Sequence, residues 1–188
     1  MQIKKTKFKD LYEINNIKYK DSRGFFSEIF NKKLNNFLDN KFNKKINFVQ
    51  LNFSFSKNKN TLRGLHCQIH PKQQAKLVSC IKGKIIDFVI DVRNNSNTFG
   101  KYLSFELSEK NNKMVFVPEG FLHGFLTKTN NCEVIYACTK FYSKKHELNV
   151  NFINNKFDIK EIKNTIKYNM SHKDKYSKDF NFNKNFFK

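Results

Sequence analysis

The chain has 188 residues, enough for one domain with a substantial hydrophobic core, and a formal net charge of +20. Its lysines are scattered, which indicates a solvated, lysine-covered surface and argues against nucleic acid as a partner. Its four cysteines form no CxxC pair, and no apolar run approaches the ~20 residues that span a bilayer, which argues against a membrane partner. We expect a cytoplasmic protein with a single domain, 1–188, whose tail, 177–188, is loosely ordered.

The first part of the chain predicts short strands and one helix. Residues 1–30 are typical of short strands, with a turn at 21–24 and a strand at 25–30. In the segment 31–40, apolar residues three and four positions apart would share one face of a short helix.

From about residue 46 to residue 142 the pattern is that of strands throughout. The segments 76–81 and 84–93 alternate and are separated by Lys82-Gly83, which predicts a hairpin. Further strands are predicted at 102–107, 113–117, 121–127 and 133–139. Many short strands at regular spacing are typical of a sandwich or barrel, so the fold class is all-β.

Only three arginines, Arg23, Arg63 and Arg93, stand among the 36 basic residues. The planar guanidinium group binds phosphate or carboxylate at two points, which lysine cannot copy. Each arginine is therefore a candidate for a contact that needs this geometry. Arg93 follows an alternating strand, and we expect it to form a buried salt bridge. Arg63 stands three residues before His66.

His66 is the first candidate for chemistry, because imidazole is the natural general base near pH 7. Strands of a small barrel can gather polar side chains at its mouth, and the companions available are Arg63, Lys76, His123 and Tyr136. A catalytic histidine also needs a carboxylate to orient its other ring nitrogen. The candidates for that carboxylate include Asp87, Asp91 and Asp174, and the residues alone do not choose among them.

Arg63 and His66 could share one cavity only if their strand is irregular. On a regular strand, residues three apart point to opposite faces. Gly64 lies between them and permits a bulge or bend. We therefore predict a local irregularity at this glycine.

Eight short segments follow one another along the chain in a specific order. They are 23–28 (RGFFSE), 49–52 (VQLN), 62–66 (LRGLH), 76–78 (KLV), 91–93 (DVR), 96–100 (SNTFG), 118–125 (PEGFLHGF) and 171–174 (SHKD). Together they closely resemble the dTDP-4-dehydrorhamnose 3,5-epimerase family, over about residues 5–176. The resemblance implies a cupin-type jelly-roll β-barrel with short peripheral helices, which is usually a homodimer.

The resemblance also implies a reaction and its catalytic residues. The family inverts carbons 3 and 5 of dTDP-4-dehydro-6-deoxy-D-glucose without metal or organic cofactor, through proton loss next to the 4-keto group. By this resemblance His66 is the base, Asp174 is its partner, Tyr136 is the acid on the opposite face, and Lys76 stabilises the enolate oxygen. Related enzymes invert only one carbon or act on other nucleotide-linked 4-keto sugars, and these alternatives stay open.

The resemblance further implies a set of substrate-binding residues. Arg63 and Lys173 match positions for the diphosphate, and Phe26 matches one that could stack on the base. The remaining matches hold nucleotide or sugar, partly across the dimer: Arg23, Glu28, Gln50, Asn52, His123 and Glu147.

Two other classes of protein remain as alternatives. A metal-dependent cupin enzyme is the first, because 118–123 (PEGFLH) matches half of a cupin metal motif. The other half needs His-x-His followed by Glu, whereas His66 is followed by Cys67-Gln68 and His70 is four residues away. Because a transition-metal site usually takes about three or four protein ligands, we expect no metal. The second is a non-catalytic binder, in which His66 and Tyr136 would be dispensable.

Overall fold

The structure, a computed structural model, describes residues 1–153, 157–163 and 165–187. Those residues form thirteen strands and two α-helices. The strands are β1 (Gln2–Lys5), β2 (Tyr12–Asn15), β3 (Tyr19–Asp21), β4 (Gly24–Phe26), β5 (Gln50–Ser56), β6 (Leu62–Gln68), β7 (Lys76–Lys82), β8 (Lys84–Asp91), β9 (Tyr102–Ser108), β10 (Lys113–Val117), β11 (Phe121–Thr127), β12 (Cys132–Cys138) and β13 (Glu147–Asn149). The helices are α1 (Lys32–Phe42) and α2 (His172–Lys175).

Eleven of these strands form two antiparallel sheets that face each other. The six-stranded sheet has the order β1-β2-β10-β7-β12-β5, and the five-stranded sheet has the order β13-β6-β11-β8-β9. The remaining strands, β3 and β4, form a separate two-stranded hairpin. The architecture is the all-β jelly-roll barrel with short peripheral helices that the sequence predicted. No helix within the described ranges is long and apolar enough to cross a membrane.

Three apolar clusters hold the sheets and the segments around them together. The first lies between the two sheets and includes Val78, Val89 and Val134. The second covers the outer face of the five-stranded sheet, beneath the C-terminal segment. The third lies under α1, whose Leu34 and Leu38 pack on the outer face of the six-stranded sheet. Burial of this kind stabilises the fold by roughly 25 cal/mol per Å² of apolar surface removed from water.

The predicted hairpin of 76–81 and 84–93 is wrong, although both segments are strands. β7 pairs with β10 and β12, whereas β8 pairs with β9 and β11 in the other sheet. Gly83, at φ +76°, carries the chain across from one sheet to the other. A Cβ at this glycine would lie 2.5 Å from Thr129 Oγ1 and 2.8 Å from Cys132 Sγ, so the crossing packs too tightly for any side chain.

The N-terminal predictions are largely confirmed. The turn at 21–24 joins β3 to β4, and α1 begins after Asn31, whose side chain accepts a hydrogen bond from Leu34 N at 3.0 Å. The strand predicted at 25–30 is shorter than expected, because β4 ends at Phe26 and the chain then turns toward α1.

The C-terminal tail does not match the expectation of loose order in its described part, 177–187. Phe180 is buried and contacts Phe157, Phe182 and Phe186. These rings form part of the cluster on the outer face of the five-stranded sheet. Aromatic side chains remove a large apolar area from water, which offsets the polar composition that suggested a loose tail.

Candidate active site

A cavity of about 460 Å³ opens between the sheets at one end of the barrel. Its walls come from both sheets and from the segment 169–174 before and within α2. A second cavity of about 290 Å³ shares His66, Lys76 and Tyr136 with the first, so the two lie side by side. Seven of the predicted site residues line the first cavity: Arg63, His66, Lys76, His123, Tyr136, Lys173 and Asp174.

A bulge in β6 brings Arg63 and His66 to the same cavity, as predicted. Arg63 pairs with Phe125 of β11 and His66 pairs with His123, so two residues of β6 oppose a single residue of β11. Gly64, at φ +112°, lies within this irregularity. Residues three apart on a regular strand point to opposite faces. The extra residue of the bulge turns the side chains of Arg63 and His66 to the same face.

His66 is paired with Asp174, which α2 carries to the cavity wall. His66 Nε2 lies 2.6 Å from Asp174 Oδ1, and the aspartate side chain is nearly buried. Burial alone would raise the pKa of Asp174, but hydrogen bonds from His66, Ser171 and the Gly64 N–H, together with the charge of His66, hold it below its usual range. The carboxylate is therefore ionised near neutral pH and fixes the imidazole ring.

The other two candidate carboxylates have different partners. Asp87 is fully buried, and its Oδ2 lies 2.7 Å from His123 Nε2. Asp91 binds Arg93 at 2.7 Å, which is the buried salt bridge predicted for this arginine. The structure therefore pairs each of the three aspartates with a different basic residue, and only Asp174 reaches His66.

Lys76 and Tyr136 face His66 from the opposite sheet. Cys138 of β12 is the register partner of Lys76 in β7, so Lys76 and Tyr136 lie on the same inner face. Within the described part of the chain, Lys76 makes no ion pair. Burial, followed by a smaller effect of Cys138, raises the pKa of Tyr136, so its phenol is protonated at neutral pH.

Arg63 is held in place by the edge strand β5. Its Nε donates to Ser56 Oγ at 3.0 Å and its Nη2 donates to the Phe55 carbonyl oxygen at 2.8 Å. Neither partner is a carboxylate, so the charge of the guanidinium is not neutralised by these contacts. Its remaining N–H groups are available to an anion in the cavity.

Gln50, Asn52 and Glu147 line the second cavity. The two amides are linked, because Gln50 Nε2 donates to Asn52 Oδ1 at 2.7 Å. Gln50 Oε1 in turn accepts a hydrogen bond from the backbone N–H of Tyr142 at 2.9 Å. This chain of contacts joins β5 to the loop that follows β12.

Lys173 and Glu147 form an ion pair at the rim of the cavities, with Nζ 2.5 Å from Oε2. Tyr142 donates a second hydrogen bond to the same carboxylate oxygen at 2.9 Å. Burial would raise the pKa of Glu147, but the contacts with Lys173 and Tyr142 hold it below its usual range. Lys173 therefore reaches the site, although part of its charge is already compensated.

Arg23, Phe26 and Glu28 line neither cavity. All three side chains are exposed on or just after the separate β3–β4 hairpin, and Arg23 is 87% exposed. Arg23 instead binds Asp21, with Nη2 2.6 Å from Oδ2. Within one chain these three predicted binding residues are not brought together with His66.

Among the cavity residues that the sequence interpretation missed are Ser54 in the first cavity and Tyr142 in the second. Ser54 Oγ is buried without a hydrogen-bond partner among the residues that the structure describes. Its position in β5, two residues after Asn52, could have identified it, because alternate residues of a strand share a face. Tyr142 carries no such signal, since it lies in a loop.

The half of a cupin metal motif at 118–123 ends at His123, and both His123 and His66 already have a partner. Nε2 of both His66 and His123 is bound to a carboxylate. In the described ranges no group of three or more His, Cys, Asp or Glu side chains is placed to hold a metal ion.

The chain is similar to one protein family throughout most of its length. The sequence model of that family, dTDP-4-dehydrorhamnose 3,5-epimerase, matches residues 5–181. A relative of that name from Shigella flexneri is 40% identical over 147 residues, which are 78% of this chain and 79% of the relative. The crystal structure of dTDP-4-dehydrorhamnose 3,5-epimerase from Elizabethkingia anophelis NUHP1 has a TM-score of 0.83 at 38% identity, covering 96% of each chain.

A second solved structure contains a ligand. It is a dTDP-6-deoxy-D-glucose-3,5-epimerase from Legionella pneumophila Philadelphia 1 in complex with dTDP-4-keto-L-rhamnose. Its TM-score is 0.81 at 33% identity, covering 94% of this chain and 91% of that one.

Proposed function

The chain belongs to the dTDP-4-dehydrorhamnose 3,5-epimerase family, and from this we propose that it converts dTDP-4-dehydro-6-deoxy-D-glucose into dTDP-4-dehydro-L-rhamnose. The reaction inverts carbons 3 and 5 of the sugar. The observation that carries the proposal is the cavity in which the His66–Asp174 pair faces Tyr136 from the opposite sheet. The Legionella relative, which binds the expected type of product, supports the assignment of substrate.

His66 is proposed as the base that removes the protons. Both carbons are next to the 4-keto group, so loss of a proton gives an enolate. Hydrogen bonding of His66 Nε2 to Asp174 leaves Nδ1 as the acceptor in the neutral ring. The ionised carboxylate then stabilises the imidazolium that forms.

Lys76 is proposed to stabilise the enolate oxygen. Its side chain lines both cavities and makes no ion pair among the described residues. Its charge is therefore available to the substrate. A fixed positive charge in a site from which water is excluded stabilises a developing negative charge more strongly than it would in water. The proposed steps use only side chains and need no cofactor.

Tyr136 is proposed to return the proton from the other face of the sugar. Inversion requires opposite faces, because a proton returned to the face it left restores the starting configuration. His66 lies on β6 of the five-stranded sheet and Tyr136 on β12 of the six-stranded sheet, so a sugar between them would meet one residue on each side. The raised pKa of Tyr136, due mainly to burial, keeps the phenol protonated for this step.

The other residues that line the cavities are proposed to hold the nucleotide and the sugar. Arg63 and Lys173 are assigned to the diphosphate, because both present positive charge at the rim of the first cavity. His123, oriented by Asp87, is assigned to the sugar. The other polar residues of the second cavity are assigned to the nucleotide and sugar: Gln50, Asn52 and Glu147.

We further propose a homodimer in which the β3–β4 hairpin of one copy completes the site of the other. The hairpin exposes apolar side chains, among them Phe25 and Phe26. The outer face of the edge strand β5 is also apolar and exposed, with Leu51 at 72% and Phe53 at 63%. Mutual burial of these surfaces would bring Arg23, Phe26 and Glu28 to the partner's cavity.

Mixing two inactive variants tests the shared site. Arg23→Ala removes a side chain that one copy contributes to the site of its partner. His66→Ala removes the base from the site of the copy that carries it. In an equal mixture that exchanges subunits, half of the dimers are mixed and each has one intact site, so about a quarter of wild-type activity should return. A mixture that stays inactive although its subunits exchange contradicts the shared site.

A cytoplasmic location is also proposed. The four cysteines are free and buried, which is typical of a protein kept in a reducing compartment.

Isotope exchange tests the proposed reaction. The protein is incubated with dTDP-4-dehydro-6-deoxy-D-glucose in deuterated water while the sugar protons are followed by NMR. We expect deuterium at carbons 3 and 5, abolished by His66→Ala and retained in His70→Ala, since His70 is exposed and lines neither of the two cavities. Exchange at one carbon indicates a mono-epimerase. An absence of exchange at both carbons contradicts the proposal, and one equivalent of bound iron or zinc per chain would favour the metal-dependent alternative.

A further inference from the structure

The bulge in β6 depends on two glycines that face each other. Gly64 and Leu65 lie between the pairs Arg63–Phe125 and His66–His123, and Gly124 alone opposes them. A Cβ built on Gly64 would lie 2.7 Å from Gly124 Cα, so the two backbones are in direct contact. No side chain fits between them.

Position 124 requires glycine because of this close contact, and the backbone conformation of Gly124 does not itself require glycine. Gly64 has φ +112°, which other residues rarely adopt, whereas Gly124 has no such angle. A Cβ at Gly124 would lie 2.6 Å from the carbonyl oxygen of Arg63 on one side and 2.8 Å from Phe152 Cε2 on the other. Substitution at Gly124 would therefore push β11 away from β6 at the bulge.

The backbone of Gly64 links this contact to the His66–Asp174 pair. Its backbone N–H contributes to the lowered pKa of Asp174, the carboxylate that lies 2.6 Å from His66 Nε2. Because Gly64 lies between Arg63 and His66, a shift of its peptide would move both of these side chains relative to Asp174. Misplacement of about 1 Å in such a site costs about 100-fold in rate.

We propose that Gly124 is a positioning residue for the His66–Asp174 pair. By allowing β11 to contact Gly64, it fixes the bulge that turns His66 into the cavity and toward Asp174. The kinetic part of this inference rests on the proposed epimerase function. Its structural part does not, because the state of His66 can be measured without a substrate.

The test compares Gly124→Ala with Leu126→Ala. Leu126 lies two residues further along β11, is buried in the same outer cluster and pairs with Leu62 outside the bulge, so its substitution controls for loss of stability. Gly124→Ala should lower kcat for isotope exchange by about 100-fold with KM within about threefold. It should also abolish the downfield proton NMR signal expected of the His66–Asp174 hydrogen bond, which Leu126→Ala retains.

A double variant covers the case in which Gly124→Ala fails to fold. Phe152→Leu gives the new methyl group room on the outer side but leaves the contact with the Arg63 carbonyl oxygen unrelieved. The proposal predicts that Gly124→Ala/Phe152→Leu folds yet lacks both the exchange activity and the His66 signal, whereas Phe152→Leu alone keeps them. Recovery of kcat and the signal in the double variant would overturn it. A wild-type protein that shows the signal without exchange would contradict the proposed function and leave the structural part standing.

Discussion

His66 and Asp174 are 108 residues apart in the sequence, and their side chains meet at 2.6 Å. The aspartate lies in the first turn of α2, where Ser171 caps the helix by accepting a hydrogen bond from Asp174 N at 3.1 Å. A short capped helix at the end of the chain thus holds one half of the proposed catalytic pair against a strand that holds the other half.

Asp174→Asn should lower kcat by about 1,000-fold or more, because the amide cannot stabilise the imidazolium or enforce the same tautomer. Binding of dTDP should change little, since Asp174 does not carry a charge toward the phosphates. Steady-state kinetics and calorimetry with dTDP check both parts. Asp179→Asn is the matched control, because this aspartate lies five residues further on and is exposed. Equal activity of the two variants would contradict the role of Asp174.

Tyr136→Phe should impair inversion more than proton removal. The variant keeps the ring that fills the cavity wall but loses the proton that the phenol donates. Deuterium uptake in recovered substrate, followed by NMR, should therefore exceed the formation of the inverted sugar. Tyr12→Phe is a control, since Tyr12 is buried in the cluster under α1. If uptake and inversion fall to the same extent, Tyr136 is not simply the acid.

Arg63→Lys should weaken dTDP binding by about tenfold, although the charge is kept. The guanidinium binds Ser56 and the Phe55 carbonyl oxygen while other N–H groups remain free, and an ammonium group cannot reproduce this geometry. The value of kcat should change less than the dissociation constant. Titration calorimetry with dTDP measures the effect, and unchanged affinity would remove Arg63 from the diphosphate site.

Asp91→Asn should destabilise the protein in a pH-dependent manner. Burial would raise the pKa of Asp91, but hydrogen bonds from Arg93, Ser96 and Thr98 hold it below its usual range. A lowered carboxyl pKa gives stability that is fully present above the unfolded value of ~3.9 and is lost as the pH falls through the folded value. The variant should lose about 3 kcal/mol of unfolding free energy at pH 7, because Arg93 loses its buried partner.

Urea unfolding of wild type and Asp91→Asn at several pH values checks this. The difference between them should be constant from pH 7 to about pH 5 and shrink below about pH 4. A difference that does not depend on pH would show that packing, and not the charge, accounts for the effect.

The cysteines of the second cavity should be unreactive. Burial raises the pKa of Cys67 to about 12, and burial also raises the pKa of Cys138. Because the thiolate is the reacting form, iodoacetamide at pH 8 should label neither residue in the native protein. Mass spectrometry checks this, with urea-unfolded protein as the control in which both are labelled. Rapid native labelling of Cys67 would contradict the prediction.

Fold elements with a local signal could be predicted from the sequence. The spacing of Leu34 and Leu38 predicted α1, and alternation predicted most strands of the barrel. The pairing of β7 and β8 could not be predicted, because a two-residue link such as Lys82-Gly83 fits both a hairpin and a crossing between sheets. Only the pairing of the two strands with different strands of the barrel separates the two cases.

Only some of the site residues could be predicted from the sequence. Arg63 and His66 were conspicuous in composition, and the need for a bulge at Gly64 followed from strand geometry. The choice of Asp174 among three aspartates came from the resemblance alone, since a separation of 108 residues leaves no local pattern. Tyr142 was missed because loop residues have no periodicity that indicates a face.

The passage of the chain between sheets has a consequence for how the protein is made. From β5 to β13 the chain visits the two sheets almost alternately, and β5 pairs with β12, more than 80 residues later. During synthesis β5 therefore waits with an unpaired edge until β12 has emerged from the ribosome, and its Leu51 and Phe53 remain exposed even in the folded chain. The nascent protein is most prone to aggregate in that interval, and fusion partners or chaperones that shield residues 50–56 should raise the yield of folded enzyme.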